Sequence, residues 1–414
     1  MERLTVAFFH PSHTIGGGEN LFGRVAAALA ETGQVRTAII DFPDGETMRA
    51  ANSDKVENWS IHRKPGALDR NTIIVTAFPL FRHLVRWTGP NCQARITLWG
   101  IHPTSALAWF PASEMIVMAG RSREDWVLNT FYPFRRRVVR RAVGGLARRR
   151  GLWLMDGTNV RSTEAIVQCS MRDCPIVPVP MPDRPVAGVE PNREPGGALR
   201  FGWLGRLAED KVPMLVRIMK DLDQAAAEVG VRDSLRVIGD GGHAAEARQV
   251  AERLQALRVE FVGTVPDTRL GESLGGLDGL FAMGTSALEG AARGLPTVLV
   301  DASYHAIPSG YGYRWLYETK DFDLGHVLRS SVPPGLSTVE IRARLLSREG
   351  ARSASNQCYD YVLQNHSLAA TCKIVSRLIS QTEETVEQLD REGGAFGATW
   401  KLLGFVHRTV LSLE

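Results

Sequence analysis

The sequence predicts an α/β protein of two Rossmann-like domains, each with a doubly wound parallel sheet. Short β-branched and apolar runs alternate with helical stretches, and a segment rich in proline and glycine interrupts the alternation before it resumes. The chain of 414 residues also exceeds the roughly 250 to 300 residues at which one hydrophobic core stops growing. We therefore expect one sheet, covered by helices on both faces, on either side of the interruption.

The first domain is predicted over residues 1–182. Its candidate strands are short and almost wholly apolar, as is typical of parallel strands that are buried on both faces. The predicted strands are LTVAFF, RTAIID, NTIIVTAF, ARITLWG and EMIVMAG, with a helix over 19–32 after the first. Residues 183–198 then form the predicted linker, because their prolines and glycines continue neither a helix nor a strand.

The second domain is predicted over residues 199–365 and repeats the same rhythm. Its predicted strands are LRFGWLGR, LRVIGDG, VEFVG, GLFAM and PTVLVD, with helices over 211–229, over 243–257 and from about 285. Residues 366–414 are predicted to be helical. An apolar stripe there favours packing onto the body of the protein over contact with a membrane; it consists of Phe396, Trp400, Leu403, Val410 and Leu413.

Composition limits the function classes. No segment approaches the roughly 18 to 20 apolar residues of a membrane span, and the N-terminus lacks the pattern of a secretory signal. Five scattered cysteines without CxxC spacing argue against a disulfide framework and against a zinc site. We therefore expect a cytoplasmic protein.

Four strand-to-helix turns are candidate ligand-binding positions, because glycine lets backbone N–H groups approach a ligand and a helix N-terminus favours anions. A dinucleotide fingerprint starting at Gly16 fails at Leu21, and no P-loop occurs. The alternatives are a tight turn without a ligand for the first, a solvated surface pair for the two cations of the second, and a helix with one solvated acid for the fourth. The candidate residues are Gly16, Gly17 and Gly18 in the first turn, Gly205, Arg206 and Lys211 in the second, Gly239 and Gly241 in the third, and Gly284, Thr285, Ser286 and Glu289 in the fourth.

In this order and spacing, GGGEN, GRLAEDK, IGDGG and LEGAARGLPTVLVD resemble the motifs of a family-4-type glycosyltransferase with the GT-B fold. The resemblance covers most of the second half and the first turn of the chain. It implies two Rossmann-like domains that face a cleft, with the acceptor bound by the first domain and a nucleoside-diphosphate sugar by the second. It also implies retention of anomeric configuration and no cofactor.

The resemblance implies specific roles. Arg206 and Lys211 match the cations that hold the donor diphosphate, and Glu289 matches the carboxylate that binds the ribose hydroxyls. His102 stands near the place of a histidine that touches the sugar; a structural histidine is the alternative, and His10 and His13 are further acceptor-side candidates. One residue departs from the family, since Phe281 occupies the position of a second glutamate, eight residues before Glu289.

The implied reaction is attack of an acceptor hydroxyl on the anomeric carbon, with a nucleoside diphosphate as leaving group. Arg206, Lys211 and the N–H groups of residues 284–286 would stabilise the charge that develops, so no metal is required. The expected acceptor is a glycan or a lipid-linked molecule of cell-surface polysaccharide or glycolipid assembly. Two alternatives stay open: a nucleotide-sugar epimerase of the same fold, and a non-catalytic protein that binds sugar nucleotides or glycans.

A basic segment over residues 131–150 suits an anionic membrane surface, because eight arginines lie among aromatic and branched apolar residues. A merely solvated helix is the alternative, and no nucleic-acid-binding motif accompanies the segment. We predict peripheral attachment to the inner face of the cytoplasmic membrane. The arginines are Arg135, Arg136, Arg137, Arg140, Arg141, Arg148, Arg149 and Arg150.

Overall fold

The computed structural model describes residues 3–14, 16–111, 121–181, 197–328 and 334–393, and of residues 121–123 and 267 only the backbone. Three predictions lie outside these ranges: the strand EMIVMAG, the linker except for residues 197 and 198, and the apolar stripe that begins at Phe396. The chain divides into two compact units. The second unit is Met181–Ser367, and the first combines the residues before it with those that follow it.

The first unit contains a six-stranded parallel sheet in the order β3-β2-β1-β4-β5-β6. This order reverses between β1 and β4, which is the switch point of a Rossmann-type sheet, where ligands bind beyond the carboxyl ends of the strands. The strands are β1 Thr5–Phe9, β2 Arg36–Asp41, β3 Val56–Ser60, β4 Thr72–Ala77, β5 Arg95–Gly100 and β6 Leu152–Leu154.

Strand β1 shows why the sheet is covered on both faces. All five of its side chains are buried. Because successive side chains of a strand point to opposite faces, Val6 and Phe8 enter one hydrophobic core, whereas Ala7 and Phe9 enter the other. The covering helices are α1 Gly17–Glu31, α2 Glu46–Ala51, α3 Phe81–Thr88, α4 Arg121–Phe131, α5 Pro133–Arg148 and α6 Gly157–Val167, with short 3₁₀ helices at Phe78–Leu80 and Ser105–Trp109.

The second unit contains another six-stranded sheet, in the order β12-β11-β10-β7-β8-β9, and only β12 runs antiparallel to its neighbour. Its strands are β7 Arg200–Leu204, β8 Asp233–Ile238, β9 Leu257–Gly263, β10 Gly279–Ala282, β11 Thr297–Leu299 and β12 Arg314–Trp315. Its helices are α7 Val212–Glu228, α8 Ala244–Ala251, α9 Asp267–Leu274, α10 Thr285–Ala292, α11 Thr338–Leu346 and α12 Arg348–His366, with a 3₁₀ helix at Leu316–Glu318.

One predicted helix is shorter than expected. The helix predicted over 243–257 ends at Ala251. The N–H groups of the three residues 255–257 donate to the Asp223 carboxylate at 2.7 to 2.9 Å. Their hydrogen-bonding capacity is therefore used without a helix. The chain therefore turns into β9 earlier than the apolar spacing indicates.

After the second unit the chain returns to the first as α13 Leu368–Ile379 and α14 Val386–Gly393. Val386 and Leu389 are buried in one core of the first unit, and Val375 and Ile379 are buried in the other. These helices thus complete the first unit with residues from the end of the chain. No helix among the described residues is long and apolar enough to cross a bilayer.

Candidate functional site

The loops after β7 and β8 are held together by their backbones at the carboxyl edge of the second sheet. Gly205 N–H donates to Ile238 O at 3.0 Å, and Leu207 N–H donates to Asp240 O at 2.9 Å. A Cβ on Gly239 would lie 2.1 Å from Gly205 O, and one on Gly241 would lie 2.5 Å from Leu207 O. Backbone packing alone therefore requires glycine at both positions, so their predicted contact with a ligand is not needed to explain them.

Two cations lie where α7 begins. Arg206 is exposed, and Lys211 is a half-buried residue at the N-cap of this helix. Burial lowers the pKa of Lys211; nearby Asp210 opposes this shift and Arg206 adds to it. The helix N-terminus contributes further positive potential, and the first turn of α7 contains no acidic residue. This arrangement suits a diphosphate, which would also relieve the repulsion between the two cations.

The residue before helix α10 is a glycine in a backbone conformation that other residues rarely adopt. Gly284 has φ +62°, a region that side chains rarely adopt, and its N–H donates to Leu324 O at 2.7 Å. The N–H groups of Thr285 and Ser286 have no hydrogen-bond acceptor within the described part of the chain. These are two of the three N–H groups that the sequence predicts as phosphate donors; the third prediction is wrong, because Gly284 N–H is used by Leu324 O. The first turn of the helix contains no acidic residue.

Glu289 lies in α10 one turn after these donors, and sequence reasoning missed its partner. Arg293 donates from Nη1 to Glu289 O at 2.9 Å and also to Glu289 Oε2, and both side chains are largely buried. The spacing of four residues in EGAAR was the available signal, because residues i and i+4 meet on a helix. The predicted ribose ligand is thus a carboxylate oriented by an arginine.

Phe281 does not lie at a ligand-facing position. It belongs to β10 and is fully buried, with ring centroids 5.7 Å from Phe201 and 5.5 Å from Tyr313. Only Met283 and Gly284 separate this strand from α10, so counting back eight residues from Glu289 reaches the core. An acid at position 281 would be buried without a partner there, and the phenylalanine is explained by packing.

A buried acidic network follows β11, and sequence reasoning missed it as well. The Asp301 carboxylate is inaccessible to solvent and accepts from Tyr311 Oη at 2.7 Å and from both Nη atoms of Arg314 at 2.7 and 2.8 Å. Burial would raise its pKa, but the hydrogen bonds and charge of Arg314 outweigh burial and lower it. His326 N–H donates to the same carboxylate at 3.1 Å.

The first unit has a different carboxyl edge. A Cβ on Gly18 would lie 2.8 Å from His10 Nε2, and one on Gly16 would lie 2.6 Å from Glu19 Oε2. His10 Nδ1 lies 3.8 Å from Glu19 Oε1, and burial lowers the pKa of His10, although Glu19 acts in the opposite direction. The turn that contains Gly16, Gly17 and Gly18 is therefore packed against a histidine and carries its own carboxylate in the first turn of α1.

His102 is exposed on the loop after β5, where its Nδ1 lies 2.8 Å from Thr104 Oγ1. The position after the strand agrees with the expectation, while the contact with a sugar stays a prediction. His13, the other acceptor-side candidate, stacks on Phe42 with ring centroids 3.9 Å apart. Among the described residues no group of three metal-ligating side chains occurs.

The arginines of residues 131–150 divide into two sets. Arg136 is buried and donates to Ile166 O, Ala165 O and Asn129 Oδ1; Arg135 donates to Trp109 O, and Arg149 pairs with Glu384 and Glu392. These three stabilise the fold. The exposed set, which we call the arginine face, has no ion pair with a described residue and consists of Arg137, Arg140, Arg141 and Arg148 on α5 and Arg150 just beyond it.

Three exposed aromatic side chains adjoin the arginine face. Trp126, Phe131 and Phe134 have 59%, 63% and 77% of their surface exposed. Trp126 and Phe131 pack edge to face with centroids 5.6 Å apart, and the Arg137 guanidinium lies 5.5 Å from the Phe134 ring. Large apolar rings at this exposure are unusual for a solvated helix, so this end of α5 is a candidate contact surface.

Comparison with solved structures shows the fold. A lipopolysaccharide outer core galactosyltransferase, WaaB, in its apo form matches with a TM-score of 0.52 and 13% identity over 92% of this chain and 100% of that one. A glycosyltransferase from Rickettsia africae matches with 0.54 and 12% over 92% and 99%, and Anabaena HepE in complex with UDP matches with 0.50 and 13% over 91% and 99%. No protein-family model and no curated protein sequence matches the chain.

The structure and these neighbours confirm the predicted fold class. Two Rossmann-like units, each with a six-stranded sheet, make up the chain, and solved glycosyltransferases of the GT-B fold share this architecture along almost its whole length. At 8 to 14% identity the likeness is one of fold.

Proposed function

We propose that this protein is a glycosyltransferase, similar to family 4, that moves a sugar from a nucleoside-diphosphate sugar to a hydroxyl of a glycan or lipid-linked acceptor. One observation carries the proposal. At the carboxyl edge of the second sheet, two cations at the start of α7 and two N–H donors at the start of α10 share an edge with an arginine-oriented glutamate. Neighbours of the same fold act on lipopolysaccharide or bind UDP, which supports this donor class.

In the proposed reaction, an acceptor hydroxyl attacks the anomeric carbon and the bond to the diphosphate breaks. Negative charge grows on the departing diphosphate, and groups that are already in place to receive it lower the barrier without reorganisation. Arg206 binds two oxygens through its planar guanidinium, Lys211 supplies a compact charge, and Thr285 and Ser286 donate backbone hydrogen bonds. Glu289 accepts from the ribose hydroxyls.

Retention of configuration and independence of metal belong to the same proposal, by resemblance to the family and because these groups supply the neutralising charge. The decisive test is turnover. The purified protein, incubated with UDP-, GDP- and ADP-sugars and a membrane extract, should release free nucleoside diphosphate, with and without EDTA. An epimerase would change the sugar without release, and a binding protein would bind a nucleotide without either reaction; each result would refute the transferase.

We further propose that the arginine face attaches the protein to the cytoplasmic surface of a membrane that carries the acceptor. Arginines attract anionic phospholipids, and exposed aromatic rings enter the interface between headgroups and acyl chains. Exposed rings beside arginines can also stack on nucleic-acid bases, but no nucleic-acid-binding motif accompanies this segment. The arginine face with Trp126, Phe131 and Phe134 therefore supports a lipid surface.

Vesicle flotation tests this attachment. The protein should float with vesicles that contain phosphatidylglycerol at low salt and stay behind with pure phosphatidylcholine. Replacing Arg137, Arg140 and Arg141 by serine should abolish flotation. A control with Arg253→Ser and Arg258→Ser, two exposed arginines of the second unit, should float like the parent. A parent protein that ignores anionic vesicles, or that prefers nucleic acid to them, would contradict the proposal.

A further inference from the structure

His326 presents an unusual arrangement at the edge where the donor is proposed to bind. Its Nδ1 lies 3.2 Å from Asp301 Oδ1 and 3.8 Å from Asp323 Oδ2, is itself inaccessible to solvent, and forms no hydrogen bond with a residue that the structure describes. Yet 36% of the side chain is exposed, so the accessible surface belongs to the rest of the ring. The ring therefore has one buried nitrogen beside two carboxylates and is open on the other side.

The chemistry of the two nitrogens follows from their neighbours. Carboxylates only accept hydrogen bonds and attract positive charge, so two of them within 4 Å of Nδ1 favour the form of the ring that bears a hydrogen on this nitrogen. In the neutral ring Nε2 is then an acceptor. Nε2 forms no hydrogen bond with any residue that the structure describes. Asp301 is held by Tyr311 and Arg314 and accepts a hydrogen bond from the backbone N–H of His326, so the place of His326 beside this carboxylate does not depend on a ligand.

The backbone brings His326 beside the start of α10. Gly284 N–H donates to Leu324 O at 2.7 Å, and Ala302 N–H donates to His326 O at 2.9 Å. Gly325 has φ +101°, and a Cβ there would lie 2.5 Å from Val300 O. The segment that carries His326 is thus packed along the ends of β10 and β11, next to the N–H donors proposed for the diphosphate.

We propose that His326 contacts the transferred sugar, accepting a hydrogen bond from one of its hydroxyls through Nε2. This inference rests on the proposed function. The chain has no carboxylate at the position where the family places one for the sugar, because position 281 lies in the core. A histidine that lies beside two acids supplies a hydrogen-bond acceptor at the same edge of the sheet instead.

Paired binding measurements test this inference. His326→Ala should weaken binding of a sugar nucleotide about tenfold, the loss of one hydrogen bond, and leave binding of the free diphosphate unchanged. The probes are UDP and GDP with UDP-glucose, UDP-galactose and GDP-mannose, measured by calorimetry. His326→Gln, whose amide reaches the place of Nε2, should recover part of the lost affinity, and His62→Ala, an exposed histidine of the first unit, should change neither.

Two outcomes would overturn the inference: equal weakening of diphosphate and sugar nucleotide by His326→Ala, which indicates a structural role, or no change in either. A parent protein that binds none of the probes would instead refute the proposed function, and the inference with it. Melting temperatures of the variants separate a folding defect from a loss of contact, since a misfolded variant would lose both ligands.

Discussion

The helices that begin at the carboxyl edges of the two sheets differ in whether their first turn contains an acidic side chain. In the first unit, α1 begins with Glu19, whose carboxylate lies against Gly16 and near the His10 ring. In the second unit, α7 and α10 begin without any acid and with cations or unshared N–H groups instead. The two units share one architecture. In the first, a side chain of the protein supplies the negative charge at the helix N-terminus, whereas in the second this place is open to an anionic ligand. This difference supports the proposal that the second unit binds the donor.

The largest effect is expected on stability, from the close backbone contact between Gly239 and Gly205 at the carboxyl edge of the second sheet. Gly239→Ala should lower stability by more than about 2 kcal/mol, because the residue has φ +130° and its Cβ would meet Gly205 O. Thermal unfolding should show a fall in Tm of at least about 4 °C. Gly17→Ala, with nothing within 4 Å of its Cβ, is the matched variant in the first unit and should be neutral or slightly stabilising. An unchanged Tm for Gly239→Ala would mean that the two loops are not packed as described.

The next effect concerns the reaction. Arg206→Ala should lower kcat about 10- to 100-fold with a smaller change in KM, because its guanidinium is proposed to act on charge that grows in the transition state. Steady-state release of nucleoside diphosphate measures both constants. Arg253→Ala, exposed elsewhere in the same unit, should leave both unchanged. If Arg206→Ala raised only KM, the residue would bind the donor without assisting its departure.

Glu289→Ala should weaken binding of a ribonucleoside diphosphate about tenfold and leave binding of its 2′,3′-dideoxy analogue unaffected, because only the former offers a vicinal diol. Titration calorimetry with both ligands separates this loss from disturbance of the Arg293 pair, which would affect the two ligands alike. Equal losses would remove Glu289 from the ribose and leave it as a helix-stabilising residue.

The smallest effect lies at the first edge and depends on pH. Burial lowers the pKa of His10 below its value in the unfolded chain. As the pH falls, the unfolded chain therefore binds a proton at this histidine before the native protein does. Stability should therefore fall as the pH drops below about 6.5, by about 1.4 kcal/mol for each unit by which the pKa is lowered. His10→Gln should flatten this part of the stability profile, as followed by urea unfolding between neutral and mildly acidic pH. If the variant had the same dependence of stability on pH as the parent, burial would not lower the pKa of His10.

The sequence allowed accurate prediction of the buried strands, because their apolar character is local. Strand β1 and strand β7 were predicted within one or two residues of their observed bounds. Strands β3, β6 and β12 were missed for a physical reason. Three of the five residues of β3 are polar, β6 has three residues and β12 has two, so pairing with a neighbour, rather than composition, makes them strands.

The candidate site was predicted less completely. The turns followed from glycine and charge, but the reason for Gly239 and Gly241 is contact between distant loops, which one sequence does not reveal. Arg136 was grouped with its exposed neighbours because all residues of an arginine run look alike in the sequence. In the helix, successive side chains point in different directions, and that of Arg136 is buried. His326 was missed since its partner Asp301 is 25 residues away.

Phe281 carries a consequence for how such proteins are sorted by sequence. A rule that requires an acid eight residues before Glu289, the proposed ribose ligand, counts positions along a strand and a short loop. Here that count ends at a phenylalanine packed among aromatic rings. The rule would discard this chain as inactive on the evidence of a core residue. Searches that score the edge of the sheet, including segments late in the chain such as 324–326, would retain it and others with equally short loops.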